Sequence, residues 1–405
     1  MTGWDGPMLT DSGGYQIFSM GHGSVSSEIK GSRNAGGVAG WNETLIKIDE
    51  TGAVFRSYVD GAVHTLTPES SIQTQRKLGA DLVVVLDECT PFHVEKSYTA
   101  ASMRRSHRWA LRSLREFRRL GCTVKSSATA EGELPPKKTQ ALYGIIQGGV
   151  FEDLRRESTD FVNSYPFFGT AIGGSLGPDK KVMYEIMSFT RPLVRDDRPV
   201  HLLGIGGVRD IFHGVRLGID TFDCVHPTRL ARHGGALVPA AHWDRLKEEV
   251  AARDLKEREE QSDDSHVDVL IDEKKLTHKE RKQMNWERKL RKQRRIQRQN
   301  ELIVREHVNV SKPAMAGDPR PLDPTCSCYT CRKFSRGYLH HLFRSKETLG
   351  QVLLTVHNVH FMNKMMSDIR DGIETDTLDD VERRYVHPDM SGTETDVQTS
   401  PHDKL

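Results

Sequence analysis

No long hydrophobic run occurs in this sequence. Its apolar stretches are typified by Leu82-Val83-Val84-Val85-Leu86, far short of the ~20 residues a membrane-spanning helix needs. The first residues also lack the basic-then-apolar pattern of a secretory signal, so the expectation is a cytoplasmic chain with no membrane span. An organellar address would need a targeting segment upstream. The ending His402-Asp403-Lys404-Leu405 resembles an ER-retention signal only loosely, and without an entry signal it carries no weight. Cysteine is scarce, and three of the six are packed into Cys326-Ser327-Cys328-Tyr329-Thr330-Cys331. Thiols this close in a chain without a secretion signal point to a metal rather than to disulfides. A dominant charge is missing too. The net charge is +2, but residues 279–298 carry ten Lys/Arg against two Glu, a net +8 that leaves −6 for the rest. Attraction to a polyanion would therefore be concentrated in that one segment.

What is present is a repeated strand-to-turn pattern. With 405 residues, 36% of them hydrophobic, the chain can bury one large core and a smaller appendage. Six apolar segments end in acidic or glycine-rich turns: near Leu9-Thr10-Asp11, and at residues 81–86, 142–146, 168–172, 200–205 and 221–225. Helical stretches such as residues 100–120 and 181–188 lie between them. This alternation predicts a parallel sheet wrapped by helices. A closed (β/α)₈ barrel would need eight such strands, so either the sheet is open or two βα units belong in front of Met1. Residues 54–66 read as a hairpin with a two-residue turn at Asp60-Gly61, and Thr67-Pro68 as the start of a helix. The arginines of residues 100–120 read as a solvated face. We divide the chain into a barrel portion with the catalytic site (1–239), a charged, basic insertion (240–300), a metal subdomain with terminal helices (301–386) and a disordered tail (387–405).

Two of the strand ends carry carboxylates. Thr221-Phe222-Asp223-Cys224-Val225-His226-Pro227-Thr228-Arg229 begins as a strand and breaks at Pro227. Leu9-Thr10-Asp11-Ser12-Gly13-Gly14-Tyr15-Gln16 runs into an acid and then a glycine turn. A capping Asp would look the same in either stretch alone. Together they suggest one pocket at the C-terminal ends of the strands, where α/β barrels keep their chemistry. For the metal, Cys326, Cys328 and Cys331 supply three soft ligands, and a tetrahedral ion wants a fourth. His340, His341, His357 and His360 are the candidates; spacing favours His357 only slightly.

These motifs, with Asp87-Glu88-Cys89, Gly144-Ile145-Ile146-Gln147-Gly148-Gly149, Ala171-Ile172-Gly173-Gly174 and Arg336-Gly337-Tyr338-Leu339-His340-His341, resemble the tRNA-guanine transglycosylase family, also called queuine tRNA-ribosyltransferases. The resemblance covers nearly the whole chain outside the insertion and tail. It implies a TIM-type (β/α)₈ barrel with a structural Zn2+ subdomain. The implied enzyme exchanges guanine at the anticodon wobble position of tRNA for queuine or its precursor preQ1. Asp223 matches the nucleophile that holds the tRNA covalently, and Asp11 the general acid/base. Asp87, Gln147 and the Gly174 N–H match the base-recognising groups, Tyr15 an aromatic lid and Ser12 its neighbour. Arg229 and Arg232 match residues near the anticodon, and Cys326, Cys328, Cys331 and His357 match the zinc ligands. A homodimer, or a heterodimer with a family paralogue, is expected from the family.

The sequence departs from the family pattern in three places. The family's chain starts two βα units earlier. The insertion is absent from its usual pattern, and its basic part is expected to be either a solvated helix or an auxiliary tRNA clamp. Cys89 resembles enzymes that use preQ1, whereas Gly177, in place of a bulkier Val, would leave room for queuine's larger side group. Two other functions compete. A non-catalytic family subunit is disfavoured because both Asp11 and Asp223 are present. A retaining glycosidase, which the acid pair alone would suit, is disfavoured by the base-pocket residues and the cysteine cluster.

Overall fold

The computed structural model describes residues 4–22, 45–121, 140–174, 176–245 and 304–390, with isolated positions between 247 and 289. The basic part of the insertion and the end of the tail lie almost wholly outside the described residues. The chain forms two compact units, the first of residues 1–206 and 210–224, the second of residues 207–209 and 225–392.

In the first unit β1 (Leu9–Thr10) leads into α1 (Gly14–His22). A small antiparallel sheet follows, made of β2 (Leu45–Ile48), β3 (Ala53–Arg56) and β4 (Val63–Leu66). The expected hairpin is there, with Val54 opposite Thr65 and Arg56 opposite Val63. Its turn is longer than two residues: six residues are closed by Ser57 N–H donating to the Ala62 carbonyl at 2.8 Å, with Gly61 at φ 75°. Thr67 then caps α2 (Pro68–Leu78), its hydroxyl accepting from Ser70 N–H while the Ser70 hydroxyl accepts from Thr67 N–H. Such caps are worth about 1 kcal/mol, and Pro68 fits the first helical position because no donor is needed there.

The main sheet adds β5 (Leu82–Val84), β6 (Ala141–Ile146), β7 (Gly169–Ile172), β8 (Val200–Leu202) and β9 (Thr221–Phe222), all parallel, in the order β1-β5-β6-β7-β8-β9. These are the six strands read from the sequence, curled as half of a TIM-type barrel. The inner strands β5 to β8 are buried on both faces, as at Val83, Val84, Leu142, Tyr143, Ile145, Ile146, Ala171, Ile172, Val200 and Leu202, which is why they read as unbroken apolar runs rather than as alternation. The crossovers between them include α3 (Lys96–Arg119), α4 (Glu152–Ser164), α5 (Lys180–Thr190) and α6 (Val208–Arg216). The arginines of α3 divide. Arg104 and Arg108 are more than half exposed, as a solvated face would be, and pair at the surface with Glu157 and Glu50, whereas Arg105 and Arg112 are more enclosed and pair with Glu88 and Glu69.

The second unit opens with α7 (His226–Arg232), where Pro227 sits in the first turn and starts the helix rather than merely ending a strand. Two further strands, β10 (Gly235–Leu237) and β11 (His307–Asn309), pair antiparallel. Then come α8 (Tyr329–Lys333), α9 (Arg336–Arg344), α10 (Thr348–Glu374) and α11 (Leu378–Tyr385). Trp243 is buried in this unit's core with Val304, Val308, Leu322, Leu339 and Leu354, so packed structure continues past Ala240, where composition turns charged. Among the described residues no helix is long and apolar enough to cross a membrane.

Candidate active site

Five of the six strands of the main sheet lead into a residue that the sequence singled out. Asp11 follows β1, Asp87 lies just beyond β5, Gln147 follows β6, Gly173 and Gly174 follow β7, and Asp223 follows β9. The C-terminal ends of neighbouring parallel strands converge, so residues up to 212 positions apart face one pocket. Asp11 accepts from Ser12 N–H at 2.7 Å. Burial raises its pKa, the Ser12 bond opposes this, and the charge of Asp223 raises it further. Asp223 goes the other way. Burial would raise its pKa, but hydrogen bonds from His201 and from Gly204 N–H outweigh this, and the carboxyl is held below its usual value. The distances are 3.2 Å from His201 Nε2 and 2.9 Å from Gly204 N, both to Oδ1. The two carboxyls are thus shifted in opposite directions, Asp11 up and Asp223 down.

Asp87 is the most enclosed carboxylate of this group. Gln147 Nε2 donates to its Oδ2 at 2.6 Å, and the Ser12 hydroxyl lies 3.5 Å from its Oδ1. Burial, reinforced by the charge of Asp11, pushes its pKa up to about 7. Gly14 is needed here for space, because a Cβ would collide with Asp87 Oδ1. Gly174 is needed twice over: it has φ 73°, and a Cβ would fall 2.5 Å from Gln147 Oε1. Behind the wall stands Arg155, fully buried, whose guanidinium donates to the carbonyls of Gly149, Ile146 and Gly173 at 2.8, 3.3 and 2.7 Å. Glu88 accepts from Tyr98 Oη at 2.8 Å and pairs with Arg105, which anchors the loop carrying Asp87.

The second unit gathers the cysteines. Sγ of Cys326, Cys328 and Cys331 lies 3.8, 3.5 and 3.4 Å from His357 Nδ1, and all four ligand atoms fall within 4.8 Å of one another. A tetrahedral ion with ordinary sulfur and nitrogen bond lengths spaces such atoms by about 3.5 Å. The donor chemistry fits as well: His357 Nε2 lies 2.9 Å from the Leu237 carbonyl, so it carries the proton, and the bare Nδ1 turns toward the sulfurs. Asn358 pins the same helix by donating to the Pro227 and Gly235 carbonyls and accepting from Leu237 N–H. The alternatives are engaged elsewhere, His340 Nδ1 with the Val310 carbonyl and His360 with the Ser327 hydroxyl. This cluster can hold a metal ion, and four protein ligands would close it to substrate.

A family model described as queuine tRNA-ribosyltransferase matches residues 1–388. The chain belongs to this family. A queuine tRNA-ribosyltransferase of Roseiflexus sp. is 40% identical over 388 residues, covering 95% of this chain and 77% of the relative. One from Azoarcus sp. is 37% identical over 384 residues, covering 95% and 76%. A third, from Protochlamydia amoebophila, is 34% identical over 374 residues, covering 92% and 74%. As a member of the queuine tRNA-ribosyltransferase family the chain is an enzyme, a pentosyltransferase.

The remaining expected residues are placed as follows. Tyr15 is 44% exposed at the start of α1, its ring 5.9 Å from that of Phe18. Arg229 and Arg232 are exposed on α7, in the second unit. Gly177 has φ 109°, and a Cβ there would fall 2.5 Å from Val182 Cγ1, so its own backbone and Val182 both favour a glycine at this position. Sequence reading missed Gly14, Arg155 and His201. Each lies next to a motif residue in space, but only Gly14 lies within a quoted motif.

Proposed function

We propose that this chain is a tRNA-guanine transglycosylase, exchanging guanine at the wobble position of a tRNA anticodon for queuine or preQ1 by a double displacement at the ribose. Support comes above all from one observation: Asp11 and Asp223 end β1 and β9 near enough for the charge of Asp223 to raise the pKa of Asp11, while hydrogen bonds from His201 and Gly204 hold that of Asp223 down. That is the division of labour a displacement with retained configuration requires. In the first step an oxygen of ionised Asp223 attacks ribose C1′. The bond to guanine breaks, and Asp11 supplies the proton the leaving base needs. In the second step Asp11 takes a proton from the incoming base, whose nitrogen attacks C1′ and releases Asp223. The phosphodiester backbone is never cut.

Asp87, Gln147 and the Gly174 N–H would recognise the base edge, with Ser12 and Gly177 beside it and Tyr15 stacked as a lid. The Asp87–Gln147 hydrogen bond supports this by preorganising the wall. Arg229 and Arg232 would meet the tRNA near the anticodon, and the basic run 279–298 would add backbone contacts. Zinc is the ion that best suits three thiolates and an imidazole, and it would hold the second unit together without taking part in the chemistry. Pairing with a second copy or with a family paralogue belongs to the same reading, as does a cytoplasmic location. Exchange of labelled guanine into tRNA tests the activity. Asp223→Asn should abolish the adduct seen on a denaturing gel, because an amide is a poor nucleophile; an adduct at wild-type level would refute the assignment.

A further inference from the structure

His201 occupies the middle of β8 and its side chain is only 3% exposed, in a strand otherwise made of Val200 and Leu202. An imidazole in such a place needs partners for both nitrogens, and it has them. Nδ1 lies 2.9 Å from the Thr221 hydroxyl and Nε2 lies 3.2 Å from Asp223 Oδ1. The strand register explains why. His201 and Thr221 are direct partners across β8 and β9, and Asp223 is two residues beyond Thr221, on the same side as the chain leaves the strand. One ring therefore bridges its cross-strand partner and the carboxylate after it. The ring of Tyr143 meets it edge-on at 6.3 Å.

An ionised carboxylate only accepts, so Nε2 must carry a proton. The Thr221 hydroxyl can then donate to Nδ1, so that every polar atom of the ring is engaged. Gly204 N–H also donates to Asp223, and to the same oxygen, Oδ1. We propose that His201 is a positioning residue for the transfer reaction: with Gly204 it commits Oδ1 of Asp223, and Oδ2 is thereby the oxygen that attacks the ribose. Thr221 sets the tautomer that makes this possible. The inference rests on Asp223 being the nucleophile. Of the titratable groups at the neighbouring strand ends, His201 lowers the pKa of Asp223, and the charge of Asp223 in turn raises that of Asp11. Removing the His201 donor should therefore move the acid limb of the rate profile to higher pH.

The test is single-turnover adduct formation on the full-length protein, followed from acid to neutral pH. His201→Phe keeps the ring volume but has no donor. It should slow adduct formation about 10- to 100-fold, lower kcat with little change in KM for the base, and shift the acid limb upward. His201→Gln places an amide N–H near the position of Nε2 and should recover most of the rate and the original limb. Thr221→Val should fall between them. A His201→Phe enzyme with wild-type adduct rate and acid limb would overturn the proposal. So would His201→Gln behaving no better than His201→Phe while both are folded. If His201→Phe fails to fold, the His201→Gln and Thr221→Val profiles decide by the same criteria. Asp223→Asn, run alongside, separates the two claims: an adduct there refutes the nucleophile itself, whereas its loss with an indifferent His201 refutes only the positioning role.

Discussion

Asp87 shares its pocket with two other acids and is the one whose charge changes near neutrality. Its pKa of about 7, against 3.8 for an ordinary Asp, arises from burial and then from the charge of Asp11. The folded protein therefore holds a proton that the unfolded chain has released between about pH 4 and about pH 7, and stability contributed by this group falls as pH rises across that window. Base affinity should run the opposite way. Guanine and its 7-deaza analogues offer N–H donors along the recognised edge, and only the carboxylate can accept from two of them. Affinity for free base should rise up to about tenfold per pH unit and level off above about 7. Titrations of the free base at several pH values check this, with Asp87→Asn expected to bind weakly and without the slope. A wild-type affinity flat across neutrality would remove Asp87 from base recognition.

At the scale of elements, the pocket depends on turns that are not themselves regular structure. The turns after β6 and β7 point carbonyls inward, and α4 answers them with one buried side chain, Arg155. An unmet buried carbonyl costs about 1 to 3 kcal/mol, so Arg155→Met should destabilise the first unit by about 3 kcal/mol or more. It should weaken base binding through Gln147 and Gly174. Urea unfolding with base titration measures both effects; a loss under about 1 kcal/mol would mean that the carbonyls find other donors. The Glu88–Arg105 pair has the same logic on the other side of Asp87. The same helix face is partly solvated arginine, as its sequence suggests, and partly a clamp, with Arg105 and Arg112 pairing the less exposed Glu88 and Glu69.

For the whole molecule, the two units have separate cores, and the cysteine cluster belongs to the second. Structural zinc contributes on the order of 10 kcal/mol to a small site, comparable with the entire stability of a domain. Cys328→Ala, or removal of metal by a strong chelator, should therefore unfold the second unit first. Proteolysis should open within residues 225–390, and metal analysis should fall below one equivalent. A full equivalent retained by Cys328→Ala, or unchanged proteolysis, would refute a structural ion at this cluster.

Much of this protein follows from sequence alone, because some constraints are local. Buried parallel strands read as short apolar runs, glycine turns mark where they stop, and the acids and cysteines stand in motifs dense enough to carry the family resemblance by themselves. Six strands, the cap at Thr67 and the cysteine cluster all belong to that class. The tertiary structure decided what depends on register and approach. His201 is one polar letter in an apolar strand until β8 and β9 align it with Thr221 and Asp223. Gly14 is a turn glycine until Asp87, 73 residues away, closes against it. The spacing of the histidines barely separated His357 from its rivals, and the Leu237 carbonyl, which orients its ring, is 120 residues distant. In each case the deciding partner is remote in sequence, and hydrogen bonds and steric exclusion act over a few ångströms, a distance that only the folded chain defines.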